Sequence, residues 1–249
     1  MKSKELPAYY TGTPNQGDFF KLHDRFGNKL NEINSKQTTS YPWDIGHHDS
    51  NIQTLFDDEY ISKGSILEIG CGTGNDARWL AKKGFNVTAI DISEEEIANA
   101  KEKDKIDYSV PIIPVTWVVG DIYTYSPLKQ FDIVYDRGCI HHHNQMEGER
   151  SLETLFSKLH SMLNVDGKIV MLTGNPNDKV YDQYSLDFGH IDQGPWRPPV
   201  MYISDIEKSS EKLFNIKVVK EIIFEQSTGY DNFLGWMFIL KKKRNLLGK

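Results

Sequence analysis

Short apolar runs at 66–69, 85–91, 115–119, 131–135 and 167–172 alternate with stretches whose apolar residues recur every three or four positions. Runs this short that end near glycine or aspartate read as buried parallel strands. The stretches between them read as helices. Over 75–83, Ala77, Leu80 and Ala81 share one face, and Gly84 is the stop. Ser93 and Glu96 have capping-box spacing for the helix after the second strand. Leu152, Leu155, Phe156, Leu159 and Leu163 line one face of a helix over 149–163. Asp49 or Ser50 caps another helix, which turns Ile52, Leu55 and Phe56 inward. Ser204 is the expected cap of a helix opening at 203–205. Phe19, Leu22, Phe26, Leu30 and Ile33 predict an amphipathic helix over 18–35, either core-packing or a lid. Near the end of the sequence, 214–224 and 233–240 both read as strands. The residues between them are too few for a helical crossover, so these two pair antiparallel. Strand–helix alternation closed by such a pair predicts an α/β protein with a mostly parallel, doubly wound sheet.

The sharpest chemistry sits where the first strand ends. Residues 66–76 read ILEIGCGTGND, and Asp91 closes the next strand 23 residues after Glu68. Gly70, Gly72 and Gly74 let the backbone turn tightly and approach a ligand. A carboxylate at the end of the second strand takes both hydroxyls of a ribose. The unit is a nucleoside-binding βαβ element. Gly72, Gly74 and Ala77 also satisfy the dinucleotide fingerprint, so an NAD-type oxidoreductase is an alternative. Glu68 counts against it, because a carboxylate beside the glycine loop suits a cationic ligand and repels a pyrophosphate. So do a third acidic strand end, Gly120-Asp121, and the antiparallel terminal pair.

These residues carry a resemblance. The EIGCGTG loop, AIDIS at 89–93 and GDI at 120–122 resemble class I S-adenosylmethionine (SAM) dependent methyltransferases. PWDIG at 42–46 and DRG at 136–138 are similar to the thiopurine, thiol, halide and bacterial small-molecule group within them. The resemblance implies a Rossmann-like sheet of seven strands in the order 3-2-1-4-5-7-6, with strand 7 antiparallel, and SAM as cofactor. It implies that Gly70, Cys71, Gly72 and Gly74 lie along the methionine part, with Glu68 beside them. Asp91 and Ile92 would hold the ribose side, and Asp121 and Ile122 the adenine. Trp43 would cover the methionine side, its alternative being a core tryptophan. Asp44 could instead form a local turn. Arg137 would bind the SAM carboxylate or an anionic substrate, its alternative being an ion pair with a nearby Asp.

The loop after the fourth strand, DRGCIHHH, leaves the carboxyl edge of the sheet, where such folds place ligands. It lacks the N/D-P-P-Y/F motif of adenine and amide methylating relatives. His141, then His142, are candidate general bases, since His titrates near neutrality. A thiol, selenol or halide acceptor needs no base, and these side chains would then only shape the pocket. Adjacent histidines on a loop lack metal-ligand spacing, so no metal is expected.

Length and charge narrow the rest. The 249 residues suit one domain, 1–249, with an N-terminal lid segment at 1–46 and an inserted substrate-side loop at 174–203 rich in Pro, Gly, Asp and aromatic residues. The net charge of −6 argues against a nucleic-acid partner. No apolar run approaches a membrane span, and no signal peptide is read at the start, so the expectation is a cytoplasmic protein. Cys71 and Cys139 flank the proposed site and are expected to stay reduced. The expected activity is methyl transfer from SAM to an S, O or N nucleophile of a small, fairly hydrophobic molecule. A non-catalytic SAM-binding module is a further alternative. The oligomeric state is not written in the sequence.

Overall fold

The computed structural model describes residues 43–106, 114–144, 146–178, 200–226 and 232–244. The predicted helix over 18–35, Pro42 of the PWDIG motif and residues 179–199 of the aromatic loop lie outside the described residues.

The described residues form one seven-stranded sheet. Its strands are β1 (Ser65–Ile69), β2 (Asn86–Asp91), β3 (Thr116–Val119), β4 (Phe131–Arg137), β5 (Leu163–Gly174), β6 (Phe214–Phe224) and β7 (Phe233–Lys242). The order is β3-β2-β1-β4-β5-β7-β6. β1 to β5 are mutually parallel, and β7 runs antiparallel to both β5 and β6, as expected from the short connection before it.

The period of two along each strand divides the core between the faces. Ile66, Ile133, Tyr135, Val170 and Leu172 point to one cluster, with Ile52, Leu55, Leu80 and Ile97. These come from α1 (Ser50–Asp57), α2 (Asn75–Lys82) and α3 (Glu94–Ile106). Leu67, Ile69, Val134, Ile169 and Met171 point to the other, with Leu155, Phe156 and Ile206. These come from α4 (Leu152–Met162) and α5 (Ile203–Ser210). Each fully buried Leu or Ile stabilises by about 1.5–3 kcal/mol.

Three helices differ at their ends from the sequence reading. α4 begins at Leu152 rather than 149, because Ser151 caps it by accepting from the Thr154 N–H, and Leu163 opens β5 instead of closing the helix. Tyr202, not Ser204, is the cap residue of α5, and no side chain bonds there. The capping box of α3 is half formed. Ser93 Oγ accepts from the Glu96 N–H at 3.2 Å, but the Ser93 N–H donates to Asp91 Oδ1 at 2.9 Å. Asp91 sits two residues upstream, where a carboxylate reaches that N–H through an Asx turn, so Glu96 does not close the box.

Candidate active site

β1 delivers Glu68 to the carboxyl edge of the sheet, and the chain then turns through Gly70, Gly72 and Gly74, with φ of 61°, 50° and 76°. Only glycine adopts these angles readily. The three positions differ in surroundings. A Cβ on Gly70 would lie 2.5 Å from Cys139 Cβ, so Gly70 is needed for packing. A Cβ on Gly72 would meet nothing closer than Glu96 Oε2 at 3.9 Å and Trp43 Cδ1 at 4.0 Å. The space over Gly72 is a cradle that a side chain would fill. Gly74 is the cap residue of α2.

Asp91 ties this loop to β2. Its Oδ2 accepts from the Gly72 N–H at 2.8 Å. Each carboxylate oxygen has two lone pairs, so Asp91 keeps acceptor capacity for a hydroxyl. Ile92 beside it is half-buried.

Trp43 and Asp44 lie across the loop. Asp44 Oδ1 accepts from Asn75 Nδ2 at 2.7 Å and from the Gly46 N–H at 3.2 Å, so the turn reading of Asp44 holds. Lys103 Nζ bridges Asp44 Oδ2 at 2.9 Å and Thr73 Oγ1 at 2.7 Å. Burial raises the Asp44 pKa, but Lys103 and Asn75 outweigh it and hold the carboxyl below its ordinary value. Trp43 is half-buried at the cleft rather than in the core.

Trp43, Glu68, Gly70, Cys71, Gly72 and Arg137 all line one cleft. Its free volume is about 60 Å³. Glu68 forms its floor, 4 % exposed, with Oε2 buried and without a hydrogen-bond partner. Burial, then the neighbouring Asp76, pushes the Glu68 pKa well above its ordinary value.

Beneath the loop lies a buried network that the sequence did not reveal. Asp76 accepts from the Asp49 N–H at 2.7 Å and from the Tyr135 hydroxyl at 2.8 Å, and burial raises its pKa to about 6. Arg137 Nε donates to Asp49 Oδ2 at 2.7 Å, and its NH2 group to the Glu225 carbonyl at 2.6 Å. The guanidinium also lies 4.7 Å from the Phe224 ring centroid. Arg137 is thus ion-paired with Asp49, as one of the two readings has it, and it also lines the cleft.

Asp121, Ile122, His141, His142 and His143 do not line this cleft. Asp121 pairs with Arg150 and accepts from the Tyr123 N–H at 3.0 Å. Ile122 is buried in the second core cluster. The Gly120 N–H donates to the Asp91 carbonyl at 2.9 Å, which holds these strand ends side by side.

On the β4 side, the loop makes a 3-10 turn over Ile140–His143. His141 is 3 % exposed, with Nδ1 3.3 Å from Thr173 Oγ1, and burial drives its pKa well below the ordinary value. His143 Nδ1 meets the Tyr123 hydroxyl at 3.0 Å, and burial lowers its pKa to about 3. His142 is exposed. Asp136 anchors the turn: its Oδ1 accepts from the Cys139 and Ile140 N–H groups, both at 2.9 Å. Its Oδ2 is buried without a hydrogen-bond partner, and burial raises the pKa to about 7. Cys71 and Cys139 are free thiols.

Comparison with known proteins agrees with this fold. Residues 66–167 match the family described as methyltransferase domain. An uncharacterized methyltransferase of Alkaliphilus oremlandii is 30 % identical over 155 residues, covering 62 % of this chain and 66 % of that protein. Thiocyanate methyltransferase 1 of Arabidopsis thaliana is 32 % identical over 99 residues, covering 38 % and 41 %. The chain thus spans less than two thirds of the length of these relatives. A magnesium protoporphyrin IX methyltransferase of Synechocystis, solved with bound S-adenosylhomocysteine, superposes with a TM-score of 0.62 at 17 % identity, over 89 % of this chain and 99 % of that one. That likeness establishes the fold.

Proposed function

We propose that this chain is a class I SAM-dependent methyltransferase that transfers a methyl group from SAM to an S, O or N nucleophile of a small, fairly hydrophobic molecule. The observation that carries the reading is the open face of Gly72, set between the carboxylate of Asp91 and the floor carboxyl of Glu68. A nucleoside ribose fits Asp91, and the unpartnered Glu68 oxygen fits the amino group of a methionine moiety. Asp76 in the first turn of α2, with Glu68 beneath, disfavours a pyrophosphate at that helix end and hence a dinucleotide.

When bound, SAM supplies an electrophilic methyl carbon on a sulfonium. The protein's part is alignment and exclusion of water. Trp43 and Asp44 cover the loop, and the Lys103 contacts hold that cover down. The assignment of the adenine to Asp121 and Ile122 stays part of the proposal, with Asp121 meeting it while paired to Arg150. Of the two roles for His141, pocket shaping is favoured. A general base works best with a pKa near the operating pH, and burial moves His141 well away from it. His142, which is exposed, remains the base candidate for an oxygen acceptor.

The reading as one domain over 1–249, with lid segments at 1–46 and 174–203, belongs to the same proposal. Only 43–46, 174–178 and 200–203 of those segments lie among the described residues. A small-molecule partner is in keeping with the acidic net charge of −6. Among the described residues no helix is long and apolar enough to cross a membrane. The test is incubation with methyl-labelled SAM and a panel of thiols, phenols, quinones and heterocyclic amines, followed by identification of labelled products. Label on one class names the acceptor; label on none, with SAM bound, would leave a non-catalytic binding module.

A further inference from the structure

Glu96 occupies the third position of α3, where a capping box would turn its side chain back to the Ser93 N–H. Asp91 Oδ1 has taken that N–H at 2.9 Å. The Glu96 side chain runs inward instead. The residue is 4 % exposed, and Oε2 is buried with no hydrogen-bond partner. A buried carboxyl oxygen left unpaired costs about 1–3 kcal/mol, so its place in the fold is not explained by stability. Its position is informative. Glu96 Oε2 lies 3.9 Å from where a Gly72 Cβ would stand, while Asp91 Oδ2 holds the Gly72 N–H at 2.8 Å. Two acidic side chains therefore converge on the one glycine of the three in the loop whose outer face is open.

We propose that Glu96 is a second ribose-recognition residue, presenting Oε2 to one hydroxyl of the nucleoside while Asp91 takes the other. The inference rests on the reading of the cleft as a SAM site. Trp43 Cδ1 stands 4.0 Å from the same Gly72 position that Glu96 Oε2 approaches to 3.9 Å, so the two side chains border one space. Burial, with Asp91 and Asp44 nearby, raises its pKa to about 7. Near neutrality the group therefore exists partly as a neutral acid, which both accepts and donates to a hydroxyl.

The test is a calorimetric titration with S-adenosylhomocysteine and with its 2′-deoxy and 3′-deoxy analogues, on wild type, Glu96→Met and Glu96→Asp. Thermal midpoints are recorded in parallel. Glu96→Met removes an unpaired buried oxygen and keeps the volume, so the midpoint should hold or rise. Affinity for S-adenosylhomocysteine should fall about fivefold to thirtyfold, the loss of one hydrogen bond to a hydroxyl. For one of the two deoxy analogues, wild type and variant should bind alike, because the partner hydroxyl is gone. Glu96→Asp keeps the acid but withdraws it by one methylene, and should also weaken binding; it decides the matter if the Met variant does not fold. Undiminished affinity in a folded variant, or an equal loss for both deoxy analogues, overturns the proposal. If the wild type binds none of the three ligands, it is the SAM reading itself that fails.

Discussion

Asp91 and Gly72 are joined by a 2.8 Å hydrogen bond from the glycine N–H to Oδ2, which fastens the glycine loop to the end of β2. One carboxylate thus shapes the loop and faces the position proposed for the ribose. Asp91→Ala should lower affinity for SAM and S-adenosylhomocysteine alike. Losing hydrogen bonds to a charged group costs about 1.5–3 kcal/mol, roughly tenfold to a hundredfold. Calorimetry checks this, and unchanged affinity removes Asp91 from the site.

Gly70 and Gly72 should part company on substitution. Gly70→Ala forces a Cβ to within 2.5 Å of Cys139 Cβ, so the fold should lose stability by a few kcal/mol, about 1–3 from overpacking alone. Gly72→Ala has room for its Cβ and bears mainly the positive-φ strain, about 1–2 kcal/mol. It should remain folded yet bind S-adenosylhomocysteine more weakly, because the methyl occupies the cradle. Chemical denaturation with parallel titrations separates the two. Equal effects on stability and binding at both positions would contradict the assignment of Gly72 to the ligand face.

Much of this arrangement was legible in the sequence. Short apolar runs gave the strands, the connection after β6 forced β7 antiparallel, and the glycine spacing located the loop. What was hidden depends on residues far apart in the chain. Arg137 meets Asp49 across 88 positions and Tyr135 meets Asp76 across 59, and no local pattern encodes either pair. The end of α4 was misread because Leu163 continues the helical apolar period into a strand buried on both faces. The capping box was misread because Asp91 competes for the same N–H.

Asp136 should make the fold less stable as pH rises. Burial raises its pKa to about 7, so the folded state holds a proton that the unfolded chain releases near the ordinary carboxyl value of 3.8. The stabilisation is full below about 3.8 and is lost progressively as pH climbs to about 7. Asp136→Asn keeps the acceptor for the Cys139 and Ile140 N–H groups and removes the titration. Relative to wild type it should gain about 2–3 kcal/mol between pH 5 and pH 7, at ~1.4 kcal/mol per pH unit. Denaturant unfolding at the two pH values tests the sign. A constant difference would mean that Asp136 stays ionised in the fold.

His141→Gln should change methyl transfer by only a few-fold, whether the acceptor is a thiol or a hydroxyl, because the buried imidazole is a weak base bonded to Thr173. A positioned base typically contributes about 10²–10⁴-fold. Rates with one acceptor of each kind decide the role. A loss in that range confined to the oxygen acceptor would restore His141 as the base.

The most direct measurement of the central claim is calorimetric titration of the wild-type chain with SAM, S-adenosylhomocysteine and NAD under one buffer condition. The open face of Gly72, the Asp91 carboxylate and the unpaired Glu68 oxygen predict saturable binding of SAM and S-adenosylhomocysteine, one per chain, and no heat with NAD. Saturable binding of NAD without SAM would contradict the methyltransferase reading of the cleft.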